Sequence, residues 1–333
     1  MNSRLLIVIL LAGATGLWAQ PRITSVAQGA EFSNTLAPGT LATIFGTGLA
    51  PAIASPDRLP FPTTLNGITV NINGRAAALT YISATQINFQ LPVGTAIGTA
   101  SAVVVNGSQT SPAVNFPVAA TAPGIFQYGA SRGVVQNQEG ALNTPENLAR
   151  PRSIITVYLT GIGLTNPAVA DGTAAPSSPL AQPALSSSAT IGGVDARILF
   201  LGLSPGFVGL AQANLEVPVL AGSGDTQLVI EVGGRRTRPV TISVEGNPSV
   251  GLPEGSTCFS GNVESVTLSL EKELQGQADE IVLGGTRFCP SCDNKSPIYG
   301  PFVTLINKAR RARLAVDACR DDFGTINFVR VRR

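Results

Sequence analysis

The stretch QINFQLP at residues 86–92 is written a second time, with substitutions, as QANLEVP at 212–218. Apolar and polar residues alternate in both, and a proline closes each run. A period of two places Ile87, Phe89 and Leu91, and likewise Ala213, Leu215 and Val217, on one face of a strand. Asn88 and Gln90, or Asn214 and Glu216, take the other face. Pro92 and Pro218 end the strand because proline has no N–H for the ladder. The leading glutamine and the asparagine are suited to tie neighbouring loops by side-chain hydrogen bonds. The phrase could mark two equivalent polar sites or one position of a duplicated scaffold.

The surrounding sequence favours the scaffold. PGTLATIFGTG (38–48) aligns with PRSIITVYLTG (151–161), and NGRAAALTYIS (73–83) with GGVDARILFLG (192–202). VVVNGSQTSPAVNFPV (103–118) aligns with VIEVGGRRTRPVTISV (229–244) after a one-residue slip. Aligned blocks in the same order describe a repeated unit. The second copy is longer chiefly through NPAVADGTAAPSSPLAQPALSSS (166–188). Asn73-Gly74 between alternating runs predicts a type I′ hairpin turn, and Gly192-Gly193, Asn106-Gly107 and Gly233-Gly234 fill corresponding turns. Phe45, Phe89, Tyr158 and Phe200 fall on predicted core positions. Two units of roughly 100 residues, each with about seven short strands, predict two tandem immunoglobulin-like β-sandwiches.

Composition agrees. Only 13% of the 333 residues are charged, while Gly (36) and Pro (24) are abundant. This balance suits short strands and tight turns better than helices. The net charge of +2 offers no broad basic surface, so nucleic acid is not an expected partner. Arg4, the apolar run Leu5–Leu11 and a small residue at Ala19 read as a signal peptide over residues 1–19. The run is shorter than the roughly 20 residues a transmembrane helix needs, and no second long apolar stretch follows. The expected product is secreted, periplasmic or at the cell surface, with no membrane span after cleavage.

Half of the Lys and Arg residues, half of the Asp and Glu residues and all four cysteines lie after position 250. The organisation expected is therefore a first sandwich over 22–127, a second over 128–246, a linker over 247–256 and a small β-rich domain over 257–333. In that last part NVESVTLSLEKEL (262–274), DEIVLGGTRFC (279–289), RLAVDAC (313–319) and GTINFVRVRR (324–333) read as strands. Ser296-Pro297 reads as the start of a helix. The order resembles a small OB-fold-like barrel. KARRAR (308–313) and RVRR (330–333) are read as a solvated helix end and strand face, balanced by acids such as Glu271, Glu273, Asp321 and Asp322.

The cysteines are Cys258, Cys289, Cys292 and Cys319. An even number confined to one small exported domain reads most simply as two disulfides. A bridge from Cys289 to Cys292 would close a very small loop, so each is expected to pair with an outer cysteine. A four-cysteine zinc site would want a second close pair. A thioredoxin-like redox pair would want a helix start after a βαβ-type strand.

The chain contains no histidine, which removes Ser-His-Asp and Cys-His activation and histidine metal ligation. No acidic pair recurs in both copies. The sequence therefore points to no enzyme, no catalytic residue, no metal and no cofactor, although carboxylate or lysine chemistry assembled across a fold stays open.

PGTLATIFGTGLA (38–50), QINFQLP, TAPGIF (121–126), VVQNQEGALNTPENLARP (134–151), LSPGFVGLAQANLEVP (203–218) and VIEVGG (229–234) together resemble an uncharacterised repeat region of exported acidobacterial proteins, the Solibacter C-terminal domain. The resemblance covers roughly residues 23–245 and implies export. It brings no catalytic residues. The function expected is extracellular or cell-surface binding of a glycan or protein, with a structural spacer as the alternative. The long Pro-rich loops 50–64 and 166–188 are the candidate contact surfaces.

Overall fold

The computed structural model describes residues 20–219 and 221–245 in full and, beyond them, the backbone of five strands between 257 and 331. The expected signal peptide, the linker 247–256, KARRAR and the helix expected after Ser296 lie outside the described residues. The chain divides into two compact units, Met1–Gly246 and Asn247–Arg333. All regular elements among the described residues are strands, and none is a helix.

In the first unit two sheets enclose a core drawn from residues 23–118. One sheet has the order Arg22–Gln28, Leu41–Thr47, Gln86–Gln90, Ala78–Ile82. The facing sheet runs Arg75–Ala76, Ile68–Ile72, Gly98–Asn106, Gln109–Thr110, with Val114–Val118 also paired to Gly98–Asn106. Every neighbour pair in both sheets is antiparallel.

The arrangement then repeats around a second core drawn from residues 125–244. Its first sheet has the order Gly124–Ile125, Ile154–Thr160, Ala211–Glu216, Arg197–Leu203. The facing sheet is centred on Val240–Val244, Gly224–Val232 and Ser187–Ile191. The second core already includes Ile125, whose strand pairs with Ile154–Thr160, just ahead of the expected start at 128.

The duplication reaches the level of register. Gln86–Gln90 lies between Leu41–Thr47 and Ala78–Ile82, with Thr43 opposite Asn88. Ala211–Glu216 lies between Ile154–Thr160 and Arg197–Leu203, with Thr156 opposite Asn214. The register shifts between Leu79 and Tyr81 in one copy and between Ile198 and Phe200 in the other, at aligned positions. In both copies the threonine hydroxyl donates to the opposite asparagine Oδ1, at 3.1 Å from Thr43 and 3.3 Å from Thr156. The phrase is thus the middle strand of its sheet, twice, and its polar face is held by a cross-strand pair.

Alternation is obeyed. Ile87, Phe89 and Leu91 are fully buried, as are Ala213, Leu215 and Val217, and Ile155, Val157 and Leu159 on the neighbouring strand. Of the four aromatics expected in the core, only Phe89 is fully buried; Phe45, Tyr158 and Phe200 are half-buried. They sit on the outer face of their strands, and the Tyr158 hydroxyl donates to Gln136 Oε1 at 2.7 Å. The Asn73-Gly74, Gly192-Gly193 and Gly233-Gly234 turns have positive φ at both residues, as type I′ geometry requires; at Asn106-Gly107 only the glycine does.

Candidate ligand-binding site

Gln90 departs from the simple alternation: it is buried although it belongs to the polar face. The loop 166–188 of the second copy reaches it, and its Oε1 accepts the N–H of Gly172 at 2.7 Å. The carbonyl of Gly172 in turn accepts the N–H of Phe61 at 2.8 Å. Beside it, Asp171 accepts from the backbone N–H of Val93 at 2.7 Å and from Arg75 Nη2 at 2.6 Å. The two long loops singled out in the sequence are therefore tied to each other where the two copies meet.

More polar groups lock the same junction. Gln28 is fully buried; its Nε2 donates to the carbonyl of Ala122 at 2.6 Å and its Oε1 accepts the N–H of Glu31 at 2.9 Å. Thr160 Oγ1 accepts from the N–H of Leu41 and donates to the carbonyl of Gly209. Thr121 Oγ1 donates to the carbonyl of Val232 at 2.8 Å. Buried amides and hydroxyls satisfied in this way fix one geometry, because any sliding would leave them unpaired in a dry interface.

Glu31 is a second carboxylate of this junction, beside Asp171. Its Oε1 accepts the backbone N–H groups of Arg238 at 2.9 Å and Ile125 at 3.3 Å. Burial pushes its pKa above the usual carboxylate range, against the pull of those N–H groups and the Arg238 charge. The folded state therefore holds the proton more tightly than the unfolded chain. This contribution to stability is fully present below the ordinary carboxylate pKa and is lost as pH rises through the folded value. Asp225 works in the opposite sense: hydrogen bonds from Ser243 and Arg132 lower its pKa, so its contribution is lost as pH falls. Glu31→Gln should therefore flatten only the loss on raising pH. The difference in stability between the two proteins, measured by urea unfolding across pH 4–7 (the roughly carboxylate range), should grow with pH in favour of the variant.

Over this fixed junction lies an open groove of about 450 Å³. One wall is the loop Pro56–Phe61 of the first copy, with Leu41 and Thr80; the other is Gly206–Leu210 of the second. The second wall follows from its sequence. Ser204-Pro205-Gly206-Phe207 is a type II turn: proline presets the first central position, and glycine takes φ of 83° at the second. The N–H of Phe207 closes the turn on the carbonyl of Ser204 at 3.1 Å. Ala175, from the loop 166–188, bonds the turn on both sides, donating to Phe207 O and accepting from Gly206 N, each at 2.9 Å. Ser204 Oγ also donates to Gln212 Oε1 at 2.7 Å, so the leading glutamine of QANLEVP holds this turn. Gln86 in the first copy instead donates to Asn88 of its own strand.

The fixed turn presents Phe207, which is 56% exposed, opposite Leu59, which is 44% exposed. Asp57 and Arg58 stand exposed on the facing loop, and neither side chain has a hydrogen-bond or ion-pair partner among the described residues. An aromatic face, an apolar floor and two uncommitted polar groups thus converge in a preformed groove. Its volume lies within the usual range of roughly 300–1,000 Å³ for small-ligand sites. Two other clefts lack this combination. One of about 500 Å³, between Val93–Ile97, Ile162, Leu164 and Leu185, is almost wholly apolar. One of about 300 Å³ contains Glu31, Tyr128 and Phe32, but there the Glu31 carboxylate and the Tyr128 hydroxyl are already hydrogen-bonded and Phe32 packs on Phe45.

The sequence flagged the loop 50–64 but not Phe207, because an apolar residue in SPGFVG looks the same whether it packs inward or stands out. The buried asparagines of VVQNQEGALNTPENLARP are scaffold: Asn143 bonds Asn137 and both the N–H and carbonyl of Ser243. Among the described residues no group of three or more acidic or cysteine side chains could hold a metal ion. The side chains of the four cysteines lie outside the described set.

Residues 21–118 match the IPT/TIG domain family, an Ig-like fold. No curated protein matches the chain. Among solved structures, SGBP-B of the Bacteroides ovatus mixed-linkage glucan utilization locus, in complex with a mixed-linkage heptasaccharide, is 15% identical with a TM-score of 0.31, covering 74% of this chain and 49% of its own. SGBP-B from a complex xyloglucan utilization locus in Bacteroides uniformis is 16% identical with a TM-score of 0.23, covering 75% and 57%. The full extracellular region of plexin A4 is 16% identical with a TM-score of 0.25, covering 73% and 20%. The chain thus spans about half the length of the first of these, or less of plexin A4.

Proposed function

We propose that the protein is an exported, non-catalytic binding module that takes a carbohydrate in the groove between Pro56–Phe61 and Gly206–Leu210. In this reading residues 22–246 are two Ig-like sandwiches in tandem, of the exported acidobacterial type that their motifs resemble. For the C-terminal unit, an OB-like reading is supported by the order of its five described strands, 286–288, 280–283, 257–267, 315–320, 326–331. Export rests on the N-terminal sequence, with cleavage near Ala19.

The observation that carries the proposal is the exposed Phe207, on a turn held by Ala175, facing the unpartnered Asp57 and Arg58 on a loop tied to Gly172 at Phe61. A pyranose ring has an apolar C–H face and a rim of hydroxyls. The phenyl ring and Leu59 suit the first; a carboxylate that accepts and a guanidinium that donates suit the second. Because the turn that carries Phe207 is already held by Ser204 and Ala175, little conformational entropy is lost there on binding.

The test is a panel of immobilised oligosaccharides probed with the full mature chain and with Phe207→Ala. Saturable binding weakened roughly tenfold or more by the substitution, with unchanged melting, is the expected result. Binding that survives in Phe207→Ala but disappears when 257–333 is deleted would place the site in the C-terminal unit. No binding by any form would favour the second reading, a rigid spacer, to which the locked junction is equally suited.

A further inference from the structure

We infer that Cys258 and Cys319 form a disulfide with each other, leaving Cys289 and Cys292 to pair together or stay reduced. This replaces the expectation that each inner cysteine pairs with an outer one. It rests on the backbone register of the C-terminal sheet and is independent of the groove.

Thr257–Thr267 and Ala315–Arg320 are antiparallel neighbours, and Cys258 stands directly opposite Cys319. Directly opposed residues share one face of the sheet, with Cα atoms about 4.5–5.5 Å apart. Disulfides need a separation of about 4.4–6.8 Å. The described strand that precedes the inner cysteines ends elsewhere in the sheet. Phe288, just before Cys289, is opposite Ile281, and Ile281 is opposite Val266. Along Thr257–Thr267, Val266 is removed from Cys258 by about 26 Å at the usual strand rise. Thr286–Phe288 also runs parallel to Thr257–Thr267, because each is antiparallel to Glu280–Leu283. The strand Thr286–Phe288 is therefore directed away from Cys258 where it ends. Even fully extended, the residues up to Cys292 reach only about 14 Å. That reach is shorter than the separation, so with this register the inner cysteines are not the partners of Cys258 and Cys319.

The chemistry is a two-electron oxidation. The Cys258 and Cys319 S–H bonds are lost, one S–S bond forms, and the two protons pass with the two electrons to the oxidant's sulfurs. The electrons pass by thiol–disulfide exchange to a disulfide-bearing oxidant of the export compartment, which becomes a dithiol. The bond would join two adjacent strands far apart in sequence, a staple suited to a small domain.

Trypsin makes the connectivity readable, since Cys258 falls in the fragment 237–272, both inner cysteines in Phe288–Lys295 and Cys319 in Leu314–Arg320. The full chain, exported through its own N-terminal segment, would be alkylated without reduction, digested and weighed. The expected result is a species joining 237–272 to 314–320 that separates on reduction. A link from 288–295 to either other fragment would overturn the inference. So would four alkylated thiols, the outcome for a metal-bound or reduced set.

Discussion

Replacing Phe89 by alanine is expected to destabilise the chain by about 3–5 kcal/mol, the range for emptying a large aromatic site in a well-packed core. Phe89 is among the largest fully buried side chains of the first core. It lies on the central strand Gln86–Gln90, with Ala42 and Leu79 opposite it on the flanking strands. Truncation removes contact with both sheets, and backbone held on two sides cannot collapse into the space. Leu215 holds the aligned place in the second core, between Ile155 and Ile198. Leu215→Ala should cost about 2–5 kcal/mol for the same reason. Urea unfolding followed by circular dichroism measures both.

Gly161→Ala, the smallest possible change, is expected to cost about 3 kcal/mol. Gly161 has φ of 79°, where a residue with a Cβ is disfavoured by about 1–2 kcal/mol. A Cβ there would also overlap the carbonyl oxygen of Ala122, which is backbone and cannot swing aside. That carbonyl accepts from the buried Gln28 Nε2, and the N–H of Ala122 donates to the carbonyl of Gly161 at 2.8 Å. Relief of the overlap would disturb both bonds, adding an overpacking cost of about 1–3 kcal/mol. Gly74→Ala has a similar φ of 82° but open space around it, so it carries the conformational part alone. The difference between the two variants in the same urea experiment isolates the junction contact.

The duplicated scaffold was legible because its signals are local. Alternation in QINFQLP and QANLEVP, the Asn-Gly and Gly-Gly turns and the terminal prolines each follow from a few neighbouring residues. Aligned blocks then carried those readings from one copy to the other. What the sequence concealed arises where the copies touch. Gln90 reads as an outward polar residue, and only the approach of Gly172 explains its burial. Gln28 and Glu31 look like ordinary surface side chains, yet their partners, Ala122, Ile125 and Arg238, lie in the other copy or the stretch leading into it. The loops 50–64 and 166–188 were recognisable as long and Pro-rich, but not as bonded to each other. Phe207 was hidden for a related reason: its exposure depends on a turn held by Ala175 and Gln212, not on its neighbours in sequence.

The central claim is that residues 22–245 act as one body, locked by Gln28, Glu31, Gln90, Thr160 and Asp171, so that a groove spanning both copies is fixed before ligand arrives. Differential scanning calorimetry of the full mature chain tests it most directly, with Phe89→Ala and Leu215→Ala as reporters placed in the separate cores. If the copies are one cooperative unit, each substitution lowers the temperature of the same transition. Two transitions, the first moved only by Phe89→Ala and the second only by Leu215→Ala, would contradict it.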